Sequence, residues 1–343
     1  MANYNLYGLI GLEIDSGGRR GYARYFDNEY RRIATQANDK TPDQTISLKI
    51  VSRLPDTKAG DISRQASFKK LFSYSYLVRG LDTPKSEIFF QAHPIGKLYM
   101  NAIGVFIQAQ VLEPVMYLKL AEAGVLFMHA SGVARNGKGY LLPAQGGTGK
   151  TTFSIALLEN GFKLLGDDLL LVDTNSGIVY PYPRPLHLFT YNVNSLRGAK
   201  VPLKYKLAIC AKDVLRFGLE RIMRTDFLIS TRVHADEIFD GDIFAEPAKY
   251  AGICFLLKSG EPLTMKKLTV ANRPAIANQI IDSADLNQSL YTMLGACQTK
   301  TVRALEEKLV MKLLGQFDHI TYIIPRRLQL ADLKPLIHEV FDD

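Results

Sequence analysis

The chain has 343 residues, 47% of them hydrophobic and 22% charged, which suits one large or two moderate globular domains and excludes an intrinsically disordered chain. The formal net charge of +8 favours acidic partners such as nucleotides or an acidic peptide, and the sequence contains no RNA-binding signature that would favour nucleic acid. Three widely spaced cysteines exclude a disulfide framework. The sequence lacks a leader peptide and an apolar run of about 18 residues, so we expect a cytoplasmic protein without a membrane span.

Residues 1–114 are predicted to form a mostly β region. The strand candidates are rich in β-branched and aromatic residues and cover 4–14, 21–26, 46–51 and 87–92. Glycines at 17 and 18 predict a turn between the first two candidates. We interpret this region as a candidate for the recognition of a substrate or a partner.

The next segment is predicted to be helical and then extended. Residues 98–123 have the pattern of two helices broken at Pro114, and Gly124 is placed to end the second helix. The apolar run that follows, 125–129, predicts a buried strand, and 131–135 is expected to continue it.

The most informative stretch is Ala144-Gln145-Gly146-Gly147-Thr148-Gly149-Lys150-Thr151. It has the pattern of a phosphate-binding loop, with Ala in place of the first Gly. A short apolar strand is predicted before it at 140–142 and a helix after it at 152–159, ended by Asn160-Gly161. Strand, glycine-rich loop and helix in this order form the context that a phosphate site requires.

The residue types in this loop predict a site for ATP and Mg²⁺. Glycines let successive backbone N–H groups point at one anion, and the start of a helix adds its positive end. Lys150 is expected to neutralise the β- and γ-phosphates, while the Thr151 hydroxyl is expected to bind Mg²⁺. The predicted nucleotide-binding residues are Gly146, Gly147, Thr148, Gly149, Lys150, Thr151 and Thr152.

Two adjacent acids, Asp167 and Asp168, follow the loop in sequence. Phosphoryl transfer to a hydroxyl needs one carboxylate for the metal ion and another that takes the proton of the acceptor. Neighbouring side chains on a straight strand point to opposite sides, so the pair can act together only if the chain bends there, and Gly166 allows such a bend. Asp173, which ends the apolar run 169–172, is a competing candidate for the metal.

The rest of the chain gives weaker signals. Pro181-Tyr182-Pro183-Arg184-Pro185 predicts a stiff extended connection, and residues 191–250 have no clear period. Further strands are predicted at 177–180, 253–257 and 319–324, and helices at 275–281, 290–314 and 330–340.

Several of these motifs together resemble the HPr kinase/phosphorylase-related family and, more distantly, the phosphoenolpyruvate carboxykinases. The shared elements are Met128-His129-Ala130, the segment GGTGKT and Gly166-Asp167-Asp168, with Pro-Tyr-Pro-Arg-Pro-Leu and the strand at 253–257 in support. The similarity covers residues 115–343. It implies an α/β fold in which a P-loop kinase domain over 115–343 follows the mostly β N-terminal region.

The resemblance also implies an activity and roles for residues. It implies an ATP-dependent kinase that acts on a hydroxyl, often of a serine, with Lys150 and Thr151 at the phosphates and Mg²⁺. The acid pair would supply the metal ligand, Asp167, and the general base, Asp168, with His129 beside them. From the residues alone, His129 on an apolar strand has the features of an ordinary core histidine.

Several questions stay open at the level of sequence. The sequence does not contain the second signature of true HPr kinases, a Glu-Ile-Arg-Gly-Leu-Gly-like segment. The acceptor is therefore left open between a peptide, a protein and a small metabolite. The arginine that stabilises the transferred group is likewise left open between Arg184 and Arg232. The alternative function is an ATP-binding regulatory or assembly protein with slow ATPase activity. Homo-oligomerisation and the choice between ATP and GTP also stay open.

Overall fold

The structure, a computed structural model, describes residues 1–34, 41–68, 72–91, 100–188, 201–223, 231–258, 267–269, 273–283, 285–316, 319–324 and 337. The chain forms two units, each with its own mixed sheet and helices, so the α/β class is confirmed. The first unit comprises Met1–Phe127, Asp173–Asn175 and Pro274–Leu313. The second comprises Met128–Val172, Ser176–Arg273 and Leu314–Asp343. The functional boundary expected at residue 114 stays a prediction.

The first unit is built on a six-stranded sheet. Its strands are β1 (Ala2–Leu6), β2 (Ile10–Asp15), β3 (Thr45–Val51), β4 (Ile62–Phe68), β5 (Phe72–Arg79) and β6 (Lys85–Gln91). The spatial order is β1-β2-β3-β6-β5-β4, with parallel pairing only where β3 meets β2 and β6. The strands predicted at 46–51 and 87–92 are confirmed as β3 and β6 over their described residues, which end at 91.

The strand predicted at 21–26 is wrong, because this segment lies in helix α1 (Arg20–Ala34). Its aromatic residues favour a strand by composition, yet the buried side chains Tyr22, Phe26, Tyr30 and Ile33 recur every three or four residues. That spacing places them on one face of a helix, so burial of this face decides the structure. The preceding turn is confirmed and tight, since a Cβ on Gly17 would lie 2.2 Å from the carbonyl oxygen of Ile50.

The helical part of the first unit contains α2 (Met100–Ile107), a π-helical turn at Gln108–Leu112 and α3 (Glu113–Glu122). Pro114 lies in the first turn of α3, where its missing N–H costs nothing, and the irregular turn precedes it. The predicted end at Gly124 is confirmed, with Gly124 at φ 82°. Three later helices are α6 (Arg273–Asp282), α7 (Asp285–Leu294) and α8 (Ala296–Leu314).

One described helical stretch, Ile103–Glu122, is long and apolar enough to cross a membrane. However, 72% of this stretch is buried inside the protein, which is the property of a core helix. The stretch is therefore only weak support for a membrane span.

The second unit is built on a mixed sheet, and the glycine-rich loop follows the end of one of its strands. Its strands include β8 (Ala130–Arg135), β9 (Lys138–Pro143), β10 (Lys163–Gly166), β11 (Leu170–Asp173), β12 (Ile178–Tyr180) and β15 (Ala248–Lys258), in the order β10-β8-β9-β15-β12-β11. β17 (His319–Ile324) pairs in parallel with β15 and antiparallel with β16 (Lys267–Thr269). A separate two-stranded sheet joins β13 (Leu186–Leu188) and β14 (Thr231–Val233).

Most strands predicted for this part of the chain are confirmed, at 140–142, 169–172, 177–180, 253–257 and 319–324. The run at 125–129 forms β7 (Val125–Met128), but 131–135 does not continue it, because the chain leaves the strand at His129 before β8 begins. Of the helix predicted at 330–340, only Ile337, which is buried, is among the described residues.

Two helices pack on this sheet. α4 (Lys150–Glu159) contributes Phe153, Ala156 and Leu157 to a buried cluster with β8, β9 and β15. α5 (Leu203–Met223) lies in the region for which no element was predicted, and its residue Ile209 packs with Ile155 of α4 in a second cluster. The two clusters fix the start of α4, and hence the loop before it, relative to the strand ends.

Candidate active site

The glycine-rich loop connects β9 to α4, and there is empty space beside the backbone of two of its glycines. Ala144 forms a parallel bridge to Leu256, which holds the start of the loop beside β15. Gly147 and Gly149 have φ values of 72° and 105°, a region that side chains strongly disfavour. A Cβ atom on Gly146 or Gly147 would meet no protein atom within 4 Å. The loop therefore leaves space next to its backbone, as an anion-binding loop needs.

The start of α4 supplies uncapped N–H groups. The helix begins at Lys150, two residues earlier than predicted. Its N-cap residue is Gly149, so no side chain caps the helix. Because the first N–H groups of a helix have no partner within the helix, they are available to an anion. Thr148, Lys150 and Thr152 are buried at this end, and Phe153 donates its N–H to the Gly149 carbonyl at 2.9 Å.

His129 joins the loop to the acid pair. Its Nε2 atom lies 2.6 Å from Nζ of Lys150 and 3.2 Å from Oδ1 of Asp168. One ring nitrogen either accepts a hydrogen bond from the ammonium group or donates one to the carboxylate, and its tautomer decides which. The structure thus makes His129 a member of a polar cluster rather than an ordinary core histidine.

Asp167 is buried and receives hydrogen bonds from two hydroxyl groups. Thr151 donates to Oδ2 at 2.9 Å, and the Ser131 hydroxyl lies 3.0 Å from Oδ1 and 2.6 Å from the backbone carbonyl of Asp167. Burial raises the pKa of Asp167, and the negative charge of Asp168 adds to this, while the two hydroxyl groups and Lys150 oppose it. The Asp167 carboxylate is therefore a site at which a cation would be favoured.

Asp168 has the opposite electrostatic character. Burial alone would raise its pKa, but the hydrogen bond and charge of His129, together with the charges of Arg184 and Lys150, lower the pKa below its usual value. Its side chain keeps 46% of its surface exposed. Asp168 is thus an ionised carboxylate that a second molecule can reach.

A bend at the acid pair is confirmed. β10 ends at Gly166, and Asp167 and Asp168 follow in a bend. A Cβ atom on Gly166 would lie 2.7 Å from the Leu169 carbonyl oxygen and 3.0 Å from that of Tyr182. Only glycine fits here, and the bend lets Asp167 face Thr151 while Asp168 faces His129.

The structure distinguishes the two candidate arginines and gives the competing acid, Asp173, a local role. Arg184, which is buried, lies close enough to Asp168 to lower its pKa. Arg232 instead acts on Lys212, whose pKa is lowered by burial and, to a smaller extent, by the charge of Arg232. The Asp173 carboxylate accepts a hydrogen bond from the N–H of Asn175 at 2.8 Å and so closes a local turn. Of the two arginines, the structure brings Arg184 to the site.

Ser131 is the residue of the cluster that sequence reasoning missed. It lies on β8, is fully buried, and contacts Oδ1 of Asp167, whereas Thr151 contacts Oδ2. Its only sequence signal is its position two residues after His129, which precedes β8, the strand that carries Ser131.

Comparison with known proteins adds no assignment: no protein-family model matches the chain, and no curated protein matches it. Among the residues that the structure describes, no group of three or more His, Cys, Asp or Glu side chains could by itself hold a metal ion.

Proposed function

We propose that the protein is an ATP-dependent kinase that transfers the γ-phosphate of ATP to a hydroxyl group of a peptide, a protein or a small metabolite. The observation that supports this most strongly is the meeting of Lys150 and Thr151 with His129, Asp167 and Asp168 in one cluster. The resemblance to HPr kinase-related proteins supports the same activity. On the basis of this resemblance, we also propose that the second unit has the P-loop fold of the HPr kinase-related proteins.

In this proposal the triphosphate of ATP lies along the loop from Gly146 to Thr152. The open backbone at Gly146 and Gly147 and the uncapped start of α4 favour an anion there. Lys150 already lies at the start of the helix, with its ammonium group beside His129. Its charge would neutralise the β- and γ-phosphates.

The residues present fit a magnesium ion. The Thr151 hydroxyl and the Asp167 carboxylate lie 2.9 Å apart and are hard oxygen ligands, and Mg²⁺ commonly takes one or two such protein ligands and completes its shell with phosphate and water. Bound there, the ion would supply charge neutralisation of the phosphates. Ser131 would keep the Asp167 carboxylate oriented, and the positive charge would offset the burial that raises the pKa of this group.

Asp168 is the proposed base. The acceptor oxygen attacks the γ-phosphorus, the bond from that phosphorus to the β-phosphate oxygen breaks, ADP leaves, and Asp168 takes the proton of the acceptor. A carboxylate with a lowered pKa is a weak base, so we expect it to orient the hydroxyl first and to accept the proton late. His129 positions Asp168, and Arg184 is the candidate that stabilises charge on the transferred group.

The decisive test replaces the base with its amide. We expect Asp168→Asn to lower the rate of product formation by about 10²–10⁴-fold and to leave ATP affinity nearly unchanged, because only the proton acceptor is lost. The measurement follows transfer from labelled ATP to a panel of hydroxyl-bearing acceptors.

The matched control is Asp173→Asn, which removes the competing carboxylate from its turn with Asn175. We expect this variant to retain activity. Loss of transfer in the Asp173 variant together with full activity in the Asp168 variant would refute the assignment. Release of phosphate without any phosphorylated acceptor would instead support the ATP-binding regulatory or assembly protein.

A further inference from the structure

The Nε2 atom of His129 lies within hydrogen-bonding distance of two groups that need opposite things from it. It is 2.6 Å from Nζ of Lys150 and 3.2 Å from Oδ1 of Asp168. An ammonium group can only donate a hydrogen bond, whereas an ionised carboxylate can only accept one. A neutral imidazole carries a proton on one ring nitrogen and a lone pair on the other. Nε2 can therefore bond to Lys150 or to Asp168, but not to both together.

The distances favour the bond to Lys150. Two nitrogens only 2.6 Å apart need a proton on one and a lone pair on the other, because two N–H groups pointing at each other would repel. The ammonium group of Lys150 carries the protons, so the lone pair of Nε2 faces it. In this first arrangement the ring proton of His129 is on Nδ1, and Nε2 donates nothing to Asp168.

Burial favours the same arrangement. Lys150 is buried, so its ammonium group is poorly hydrated and needs a protein partner. The side chain of Asp168 keeps 46% of its surface exposed, so water can replace a hydrogen bond that His129 does not provide. Losing the bond to Asp168 therefore costs less than losing the bond to Lys150.

We infer that Lys150 and Asp168 use Nε2 of His129 in turn, so that binding of the nucleotide positions Asp168. This inference rests on the proposed function, in which the β- and γ-phosphates bond to Lys150. Ionised phosphate oxygens accept hydrogen bonds from an ammonium group much more strongly than a neutral ring nitrogen does. The phosphates therefore compete with His129 for Lys150 and release Nε2.

The release lets His129 act on the base. One proton leaves Nδ1 for solvent and another binds Nε2, so the ring stays neutral, and Nε2–H now donates to Oδ1 of Asp168. Burial of Asp168 raises its pKa in both arrangements, and the hydrogen bond from His129 that opposes burial belongs to this second one. His129 is thus a positioning residue that fixes Asp168 only after the nucleotide is bound.

The test identifies the protonated ring nitrogen of His129 by nitrogen NMR of the isotope-labelled full chain at about pH 8. The signal is assigned by its loss in His129→Gln. In the unaltered protein without nucleotide, Nε2 should give the signal of a nitrogen with a lone pair. Lys150→Met should convert Nε2 to its protonated form and produce the downfield proton signal of an N–H bonded to a carboxylate. Adding Asp168→Ala to this variant should remove the downfield signal.

The matched control is Lys163→Met. It removes an exposed lysine that pairs with Asp242 just after the end of α4, whereas Lys150 begins this helix. The control should leave the Nε2 signal of His129 unchanged, and circular dichroism shows that each variant folds. A protonated Nε2 in the unaltered protein, or no conversion in Lys150→Met, would overturn the inference without bearing on kinase activity.

The second arm adds Mg²⁺ and a non-hydrolysable ATP analogue to the unaltered protein. Nε2 should then become protonated, as in Lys150→Met, in proportion to the analogue bound. Calorimetry that shows analogue binding while Nε2 keeps its lone pair would overturn the inference and leave the proposed function standing. Failure of the analogue to bind at all would contradict the proposed function and, with it, the control of Asp168 by nucleotide.

Discussion

At the scale of single residues, the two neighbouring carboxyl groups of the site are pushed in opposite electrostatic directions. Burial raises the pKa of Asp167, whereas His129, Arg184 and Lys150 outweigh burial and lower that of Asp168. Groups whose surroundings separate their pKa values in this way are typical of sites that divide roles between similar residues. The division fits a metal ligand beside a proton acceptor.

This difference predicts effects on stability with opposite signs. The pKa of Asp167 in the folded protein lies above the reference value of 3.8. The contribution of this carboxyl group to stability is therefore fully present below pH 3.8 and is lost as the pH rises through the pKa of the folded state. Without nucleotide and Mg²⁺, Asp167→Asn should therefore raise the free energy of unfolding at about pH 8, with little effect near about pH 4. Thermal unfolding across this pH range measures the change.

Asp168→Asn serves as the comparison. The lowered pKa of Asp168 means that its ionised form contributes stability above 3.8 and loses it as the pH falls through the folded pKa. We expect this variant to lower the melting temperature at neutral pH, by a small amount because the side chain is partly exposed. Two variants with the same sign at neutral pH would contradict the electrostatic description of the pair.

At the scale of elements, the glycines of the site divide into two kinds. A side chain on Gly166 would collide with backbone oxygens of Leu169 and Tyr182, so this glycine is required by packing. A side chain on Gly146 would meet no protein atom within 4 Å, so the fold does not explain it. We attribute Gly146 to the close approach of a ligand to the loop.

The corresponding prediction compares two alanine variants. Gly146→Ala should leave the melting temperature nearly unchanged but weaken ATP binding by about tenfold or more, because the new methyl group occupies the space for the phosphates. Gly166→Ala should instead destabilise the fold, by about 1–3 kcal/mol, because backbone atoms cannot move aside easily. Calorimetric unfolding and ATP titration measure both effects. A Gly146→Ala variant with intact ATP affinity would exclude the loop as the phosphate site.

The elements also show why some segments are predictable from sequence and others are not. The loop and the bend at the acid pair depend on local backbone rules, so their residues alone predict them. Residues 21–26 predict a strand because their aromatic side chains dominate a short window, while the helical spacing of α1 becomes visible only over the full length from Tyr22 to Ile33. No helix is predicted over α5 because apolar residues lie on two of its sides, buried at Ile209 and exposed at Leu207 and Val214, and this masks the helical period.

The contacts made by Ser131 and Arg184 could not be predicted either. Ser131 reaches Asp167 across the pairing of β8 with β10, and Arg184 acts on Asp168 from a segment that follows β12. Both relations depend on strand order, which local sequence patterns do not specify. The resemblance to a known family predicts His129 and the acid pair as site residues, and the sequence makes Arg184 one of two candidates for the charge-stabilising arginine, but neither indicates Ser131.

At the scale of the whole molecule, the chain returns to its first unit near its C-terminal end. α6, α7 and most of α8 belong to the first unit, whereas β17 completes part of the sheet of the second. The second unit contains every residue of the candidate site and also α5. We therefore expect the chemistry to belong to the second unit, and the first unit stays the candidate for recognition of a substrate or a partner.

The central claim is that a triphosphate binds along the loop with its terminal phosphate near the acid pair. The most direct measurement is a crystal structure of the full chain with Mg²⁺ and a non-hydrolysable ATP analogue. We predict that the backbone N–H groups of residues 146–151 contact the phosphates, with Mg²⁺ bound by Thr151 and Asp167 and the terminal phosphate facing Asp168. An analogue bound elsewhere, or a terminal phosphate that faces away from Asp168, would contradict the assignment.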